Sequence, residues 1–176
     1  MIPKTNLSLA LRPDLNFSKV SALGKPTVVI HGSASAFSLP IYSSDNEELY
    51  FSIKTPRRWD GTTDIKVNVY CYLTGAEDVG DKFNLQFSWN YNNCSGVLSG
   101  TPTDLTTETT VLTGRNAQYD VYCVEFTLDA SGMTAGTILT GRLRRLDASG
   151  SEVTNEIAIF DWNIYFKRDK LGAKWS

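Results

Sequence analysis

The chain has 176 residues, 41% of them hydrophobic and 20% charged, and a formal net charge of −2. That is enough chain for one domain with a substantial core, and too apolar for wholesale disorder. The near-neutral balance excludes broad electrostatic capture of nucleic acid or of an anionic membrane, and no apolar run approaches the roughly 20 residues of a spanning helix.

Residues 1–25 carry Pro3 and Pro13, end against Pro26, and show no sustained periodicity. Leu7, Leu9 and Leu11 alternate until Arg12-Pro13-Asp14 stops them, so an extended arm with at most one short edge strand is expected. No cationic stretch followed by an apolar one opens the chain, so no secretory signal is read there. From Thr27 short β-branched and alternating runs begin, at 27–31, 36–42 with Pro40 as an edge or bulge, and 48–55.

Two long runs follow. Ile65, Val67, Val69, Cys71 and Leu73 alternate with Lys66, Asn68, Tyr70 and Tyr72; Phe83, Leu85, Phe87, Trp89 and Tyr91 alternate with Lys82, Asn84, Gln86, Ser88 and Asn90. Such period-two patterning means two strands with one buried face each, the centre of the core. Residues 97–106 read as a loop with Gly100 and Pro102, and the threonine-rich 107–113 as a strand. Strands are expected again at 120–129, with Tyr122, Val124, Phe126 and Leu128 inward, and at 137–146, where the isolated Gly141 marks a bulge or a close backbone approach. The last, 156–167, is expected to place Ala158, Phe160, Trp162, Ile164 and Phe166 on one side.

The fold class expected is therefore all-β, an antiparallel two-sheet sandwich of eight to nine strands, jelly-roll-like, with an immunoglobulin-like sandwich as competitor. Its parts are an N-terminal arm (1–25), the sandwich (26–167) and a polar C-terminal tail (168–176).

Chemistry is constrained by what the inventory lacks. There is one histidine, His31, and there are three cysteines, an odd number without CxxC spacing. A nucleophile with a histidine base, a zinc site and a disulfide framework are all poorly served. The cysteines read as buried small apolar residues of a chain made in a reducing cytoplasm. No phosphate-cradling glycine motif is present. No catalytic residue, cofactor or metal is assigned. Glu77, Asp78 and Asp81 form the densest acidic cluster, read as a solvated turn or, against its spacing, a calcium loop. Asp161, in an apolar strand, faces inward or lines a groove, where Arg142, Arg144 or Arg145 could pair with it. Alternation puts Arg142 and Arg144 on one side and Arg145 on the other. In Pro56-Arg57-Arg58-Trp59-Asp60-Gly61, Trp59 is either an exposed anchor flanked by arginines or a plug for one end of the sandwich.

That string, together with Thr113-Gly114-Arg115-Asn116-Ala117-Gln118-Tyr119 and with Gly141-Arg142-Leu143-Arg144-Arg145 followed by Asn155-Glu156-Ile157, resembles a family of uncharacterised proteins of bacteriophage genomes and viral metagenomes. The likeness spans roughly residues 45–172 and brings no catalytic assignment. It implies a virion part, made in the host cytoplasm. The architecture also resembles the jelly-roll decoration, or cement, proteins of tailed-phage heads.

Three functions are thus in view. The first is a structural virion protein that binds between major capsid subunits as a trimer and stabilises the head, with Leu7, Leu9, Leu11 and Phe17 anchoring the arm and Arg57, Arg58 and Trp59 at the interface. The alternative is a carbohydrate- or receptor-binding module of a phage tail or fibre, with stacking faces from Trp59, Tyr70, Tyr72 and Trp175. Tyr70 and Tyr72 share the non-core side of their strand. The third, a sandwich glycosidase, needs two convergent carboxylates, and the chain order offers no recognisable pair.

Overall fold

The alternating runs become strands in the computed structural model, which describes residues 8–9, 27–40, 48–56, 59, 61, 63–93 and 101–167. The strands are Ser8–Leu9 (β1), Thr27–His31 (β2), Ala34–Leu39 (β3), Glu48–Lys54 (β4), Ile65–Leu73 (β5), Lys82–Asn92 (β6), Thr103–Thr110 (β7), Val121–Leu128 (β8), Ile138–Leu146 (β9) and Ile157–Tyr165 (β10). One sheet runs β2-β3-β10-β5-β8, with β1 on the far end of β10; the other runs β4-β9-β6-β7. Pairing between strands is antiparallel throughout.

Counted from β3 to β10, the sheets read first-eighth-third-sixth and second-seventh-fourth-fifth. That is a jelly roll, in which consecutive strands alternate between the two layers except for the β6–β7 hairpin, which stays in one. The β2–β3 hairpin is added at one edge, turning at Gly32, whose φ of 59° suits glycine.

The two long runs do form the centre. Ile65, Val67, Val69, Cys71 and Leu73 face Phe83, Leu85 and Phe87 across the core, all fully buried. Aromatic rings link the layers: Phe87 stacks on Phe51 and on Phe126, and Phe51 meets Trp162 edge-on at 4.8 Å. Such offset and edge contacts suit the ring quadrupoles, and dense packing of this kind is what holds a sandwich together. Gly141 serves as a close approach rather than a bulge, because the Phe51 ring lies where its side chain would be.

The inward Arg145 is the one cation among the largest fully buried side chains of the described residues. Glu152 pairs with it at 2.6 Å, Asn155 O accepts from it at 2.7 Å, and Val153 O takes a further bond. Its charge is thereby met and its donors are used, which is what makes burial tolerable.

Several expectations are corrected. The bulge falls in β10, between Ile159 and Asp161. One extra residue there reverses the alternation, so Ala158 and Phe160 leave the face of Trp162, Ile164 and Phe166 and join the outer side with Tyr72 and Ala36. The strand expected at 107–113 begins four residues earlier, because Thr103 to Leu105 find partners in Trp89 to Phe87. Cys71 is buried as expected, and burial pushes its thiol up; Cys123 is instead exposed on the outer side of β8. Asp161 does not meet the arginines, since β10 and β9 belong to different sheets; Arg142 and Arg144 turn to Glu48.

Candidate functional site

The outer face of the larger sheet carries a row of rings. Alternation sends Tyr70 and Tyr72 outward from β5, and the β10 bulge brings Phe160 beside both, with centroids 6.3 and 6.0 Å away. Tyr119, from the loop before β8, lies 5.8 Å from Tyr72, and His31 at the end of β2 stacks on Tyr119 at 3.6 Å. Five rings, Tyr70, Phe160, Tyr72, Tyr119 and His31, thus follow one another. Tyr72 is the floor, 5% exposed, wedged among Ala36, Ala158 and Phe160. Tyr119 is the outermost of the three tyrosines, 40% exposed.

The loop that delivers Tyr119 is bolted down by the motif residues around it. Asn116 donates to Glu77 O at 3.0 Å, Gln118 to Thr74 O at 2.7 Å, and the Tyr119 N–H to Leu73 O at 2.8 Å. Asp120 accepts from Ala117 N, and the Tyr122 hydroxyl bonds Arg115 O. Tyr119 holds φ at 72°, a left-handed conformation that costs a side-chain-bearing residue energy. The rest of the loop sets that angle, and strain of this kind is concentrated where a side chain must be aimed.

Polar groups flank the row. Asn68 and Asn163 stand opposite each other across β5 and β10, and Asp161 opposite Tyr70. The Oδ1 atoms of both asparagines and the Tyr72 hydroxyl are buried without a protein partner. Burial first, and Tyr119 second, push the Tyr72 phenol above its usual range, so it stays neutral. On β8, Cys123 accepts a bond from Tyr70, but the partial desolvation of its sulfur, helped by the Glu125 charge, outweighs this and its thiol is also raised.

The other expected residues fall elsewhere. Trp59 is 4% exposed, donates its indole N–H to Thr63 O at 3.2 Å and meets Phe166 edge-on. It plugs one end of the sandwich and presents no ring to solvent, which removes it as an exposed interface anchor or stacking platform. Leu7, Leu11, Phe17, Arg57, Arg58 and Trp175 lie outside the described residues, and of Leu9 the structure describes the backbone pairing with Ile164. Glu77 is not part of a solvated turn. It is buried and accepts from Thr154 and Asn155, tying two loops together. Burial raises its pKa, but the bonds from Thr154 and Asn155 outweigh that and hold the carboxyl below its usual range. Among the described residues, no group of three or more His, Cys, Asp or Glu is placed to hold a metal ion.

No protein-family model matches the chain, and comparison with curated proteins finds no relative. Among solved structures, the chain is similar to a non-crystalline cellulose specific carbohydrate-binding module, CBM28, at 14% identity and a TM-score of 0.43, over 87% of this chain and 84% of that one. It is also similar to the xylan-binding module CBM15, at 13% identity and a TM-score of 0.42, over 94% and 100%. A third is the CBM22-1 xylan-binding domain of Paenibacillus barcinonensis Xyn10C, at 10% identity and a TM-score of 0.34, over 83% and 88%. At these scores the likeness carries no weight for function.

Proposed function

We propose that the chain is a glycan-binding module that holds a saccharide against the ring row of its larger sheet. The observation that supports this is the coincidence of Tyr70, Phe160, Tyr72 and Tyr119 on one outer face with Asn68, Asn163 and Asp161 alongside. A sugar ring has an apolar face that lies on an aromatic ring and a rim of hydroxyls that bonds amides and carboxylates. Apolar surface with a few placed polar groups is the general form of a small-ligand site. Backbone strain held at Tyr119, whose ring extends the row, is of the kind that clusters at ligand clamps.

The capsid-decoration expectation draws no comparable support. The arm anchors it needs lie outside the described side chains, and Trp59 is committed to the core.

A glycan array, followed by calorimetry on whatever is retained, tests the proposal. The wild-type chain is expected to retain at least one saccharide class, and Tyr70→Ala to weaken that binding about tenfold or more while the chain stays folded. A silent array, or a ligand indifferent to Tyr70→Ala, overturns it.

A further inference from the structure

The outer face of the smaller sheet carries a second cluster, and its burial is anomalous. Glu48, Gln86 and Ser88 point outward by alternation, yet they are 8%, 7% and 1% exposed. Arg142 and Arg144 of β9 flank them. The Tyr50 hydroxyl bonds Glu48; Arg142 donates to Glu48 at 3.1 Å, and Arg144 approaches the same oxygen at 3.8 Å. Arg144 also donates to Gln86 Oε1 at 2.5 Å. This is a built layer of side chains held by one another, not a set of independent surface groups.

Its charges do not balance. Two guanidinium groups share one carboxylate, and among the described residues Glu48 is the acid within ion-pair distance of either. Asp104 stands on the far side of Ser88, on β7, and Glu108 is taken by Lys82. Two polar atoms in the layer also lack partners. Arg142 Nε and Ser88 Oγ, on residues paired directly across β9 and β6, are both buried without a bond. Both can donate a hydrogen, and a buried donor without an acceptor is costly.

We propose that this face is a second binding site, which takes the carboxylate of an acidic saccharide between Arg142, Arg144 and Ser88. A carboxylate accepts from Nε–H and from the serine hydroxyl at once, and its single charge matches the single surplus on the arginines. A dianionic phosphate would exceed that surplus. The Arg142 side chain is 29% exposed, so rotation about its stem admits the ligand. Gln86 and Thr140, two positions from Ser88 and from Arg142 on the same face, offer an amide and a hydroxyl to sugar hydroxyls. That the ligand is a sugar rests on the glycan-binding reading; that it bears a carboxylate rests on this face alone.

The test is a titration of the full chain with tetragalacturonate, with its methyl ester and with a glutamate-rich peptide, followed by NMR of the arginine Nε–H signals. Tetragalacturonate is expected to move the Arg142 Nε–H downfield and to bind about tenfold or more tightly than the ester. Ser88→Ala and Arg142→Lys, which keep the fold's charge and volume nearly intact, should each weaken the acid and leave the ester unchanged. An acid and an ester that bind alike, or a still Arg142 signal, overturn the site. A peptide that moves the signal as strongly as the saccharide overturns the sugar assignment. Tyr70→Ala separates the two readings: it should leave the Arg142 shift in place even if it abolishes binding on the larger sheet.

Discussion

The ring of Phe51 occupies the space that a side chain at Gly141 would fill. A Cβ built on Gly141 stands 2.2 Å from Phe51 Cε1 and 3.1 Å from Ser88 O. The two residues are paired across β4 and β9, so the glycine is what allows Phe51 to reach both Phe87 and Trp162. Gly141→Ala is therefore expected to cost about 1–3 kcal/mol, the usual range for overpacking a filled core. Urea midpoints measure this. The double variant with Phe51→Leu should recover part of the loss, since the two sites share one volume.

Trp59→Ala separates a plug from an interface residue. The buried ring closes the end of the sandwich against Phe166, and its removal is expected to cost about 3–5 kcal/mol of stability. An interface residue exposed to solvent would leave the urea midpoint of the isolated chain nearly unchanged. Trp59→Phe, which keeps most of the apolar volume but loses the bond to Thr63 O, should fall between.

Tyr119 predicts a split between stability and binding. Tyr119→Ala and Tyr119→Gly delete the same ring and its contacts with His31 and Tyr72. Glycine tolerates a φ of 72° and alanine does not, so the glycine variant should be more stable than the alanine variant by roughly 1 kcal/mol. Both should lose saccharide binding equally. Thermal melts and calorimetry on the two proteins check this together.

Acid should loosen the two loops that Glu77 joins. Its folded pKa lies below the ordinary value of 4.5 because the bonds from Thr154 and Asn155 favour the carboxylate more than burial disfavours it. A depressed folded pKa adds stability that is complete above the unfolded value and is lost as pH falls through the folded one. Unfolding free energy followed from about pH 7 down to about pH 3 should drop in the wild type, and drop less steeply below pH 4.5 in Glu77→Gln. Glu108, held at about 2 by Lys82 and then Ser149, contributes in the same direction, so the variant's curve should flatten without becoming level.

Strict alternation made most of the architecture legible. In β5 and β6 the side that each residue takes could be read, including which tyrosines point outward, because alternation fixes it; that Tyr72, Gln86 and Ser88 are buried on the outer side could not. Phe160 could not. A bulge adds one residue without any compositional mark, and the apolar sequence Ile157 to Trp162 reads equally well as one unbroken alternation. Tyr119 was hidden for a different reason: no local rule places a tyrosine in a glycine conformation, and the bonds that force it come from Leu73 and Thr74, far back in the chain. Glu77 looked like one of three surface acids because its partners lie 77 and 78 positions away. The start of β7 was masked by Pro102 just before it.

Among the described residues β10 is the last strand in chain order, and it lies inside its sheet, between β3 and β5. Until β10 docks, the larger layer has a gap where its central member belongs, and β3 has no neighbour on that side. A folding chain can therefore preassemble the four-stranded layer but cannot seal the molecule until β10 is in place. Long-range closure of this kind is slow. A chain cut before Ile157 would be left with an open seam, and the missing segment supplied as a free peptide is the natural way to close it.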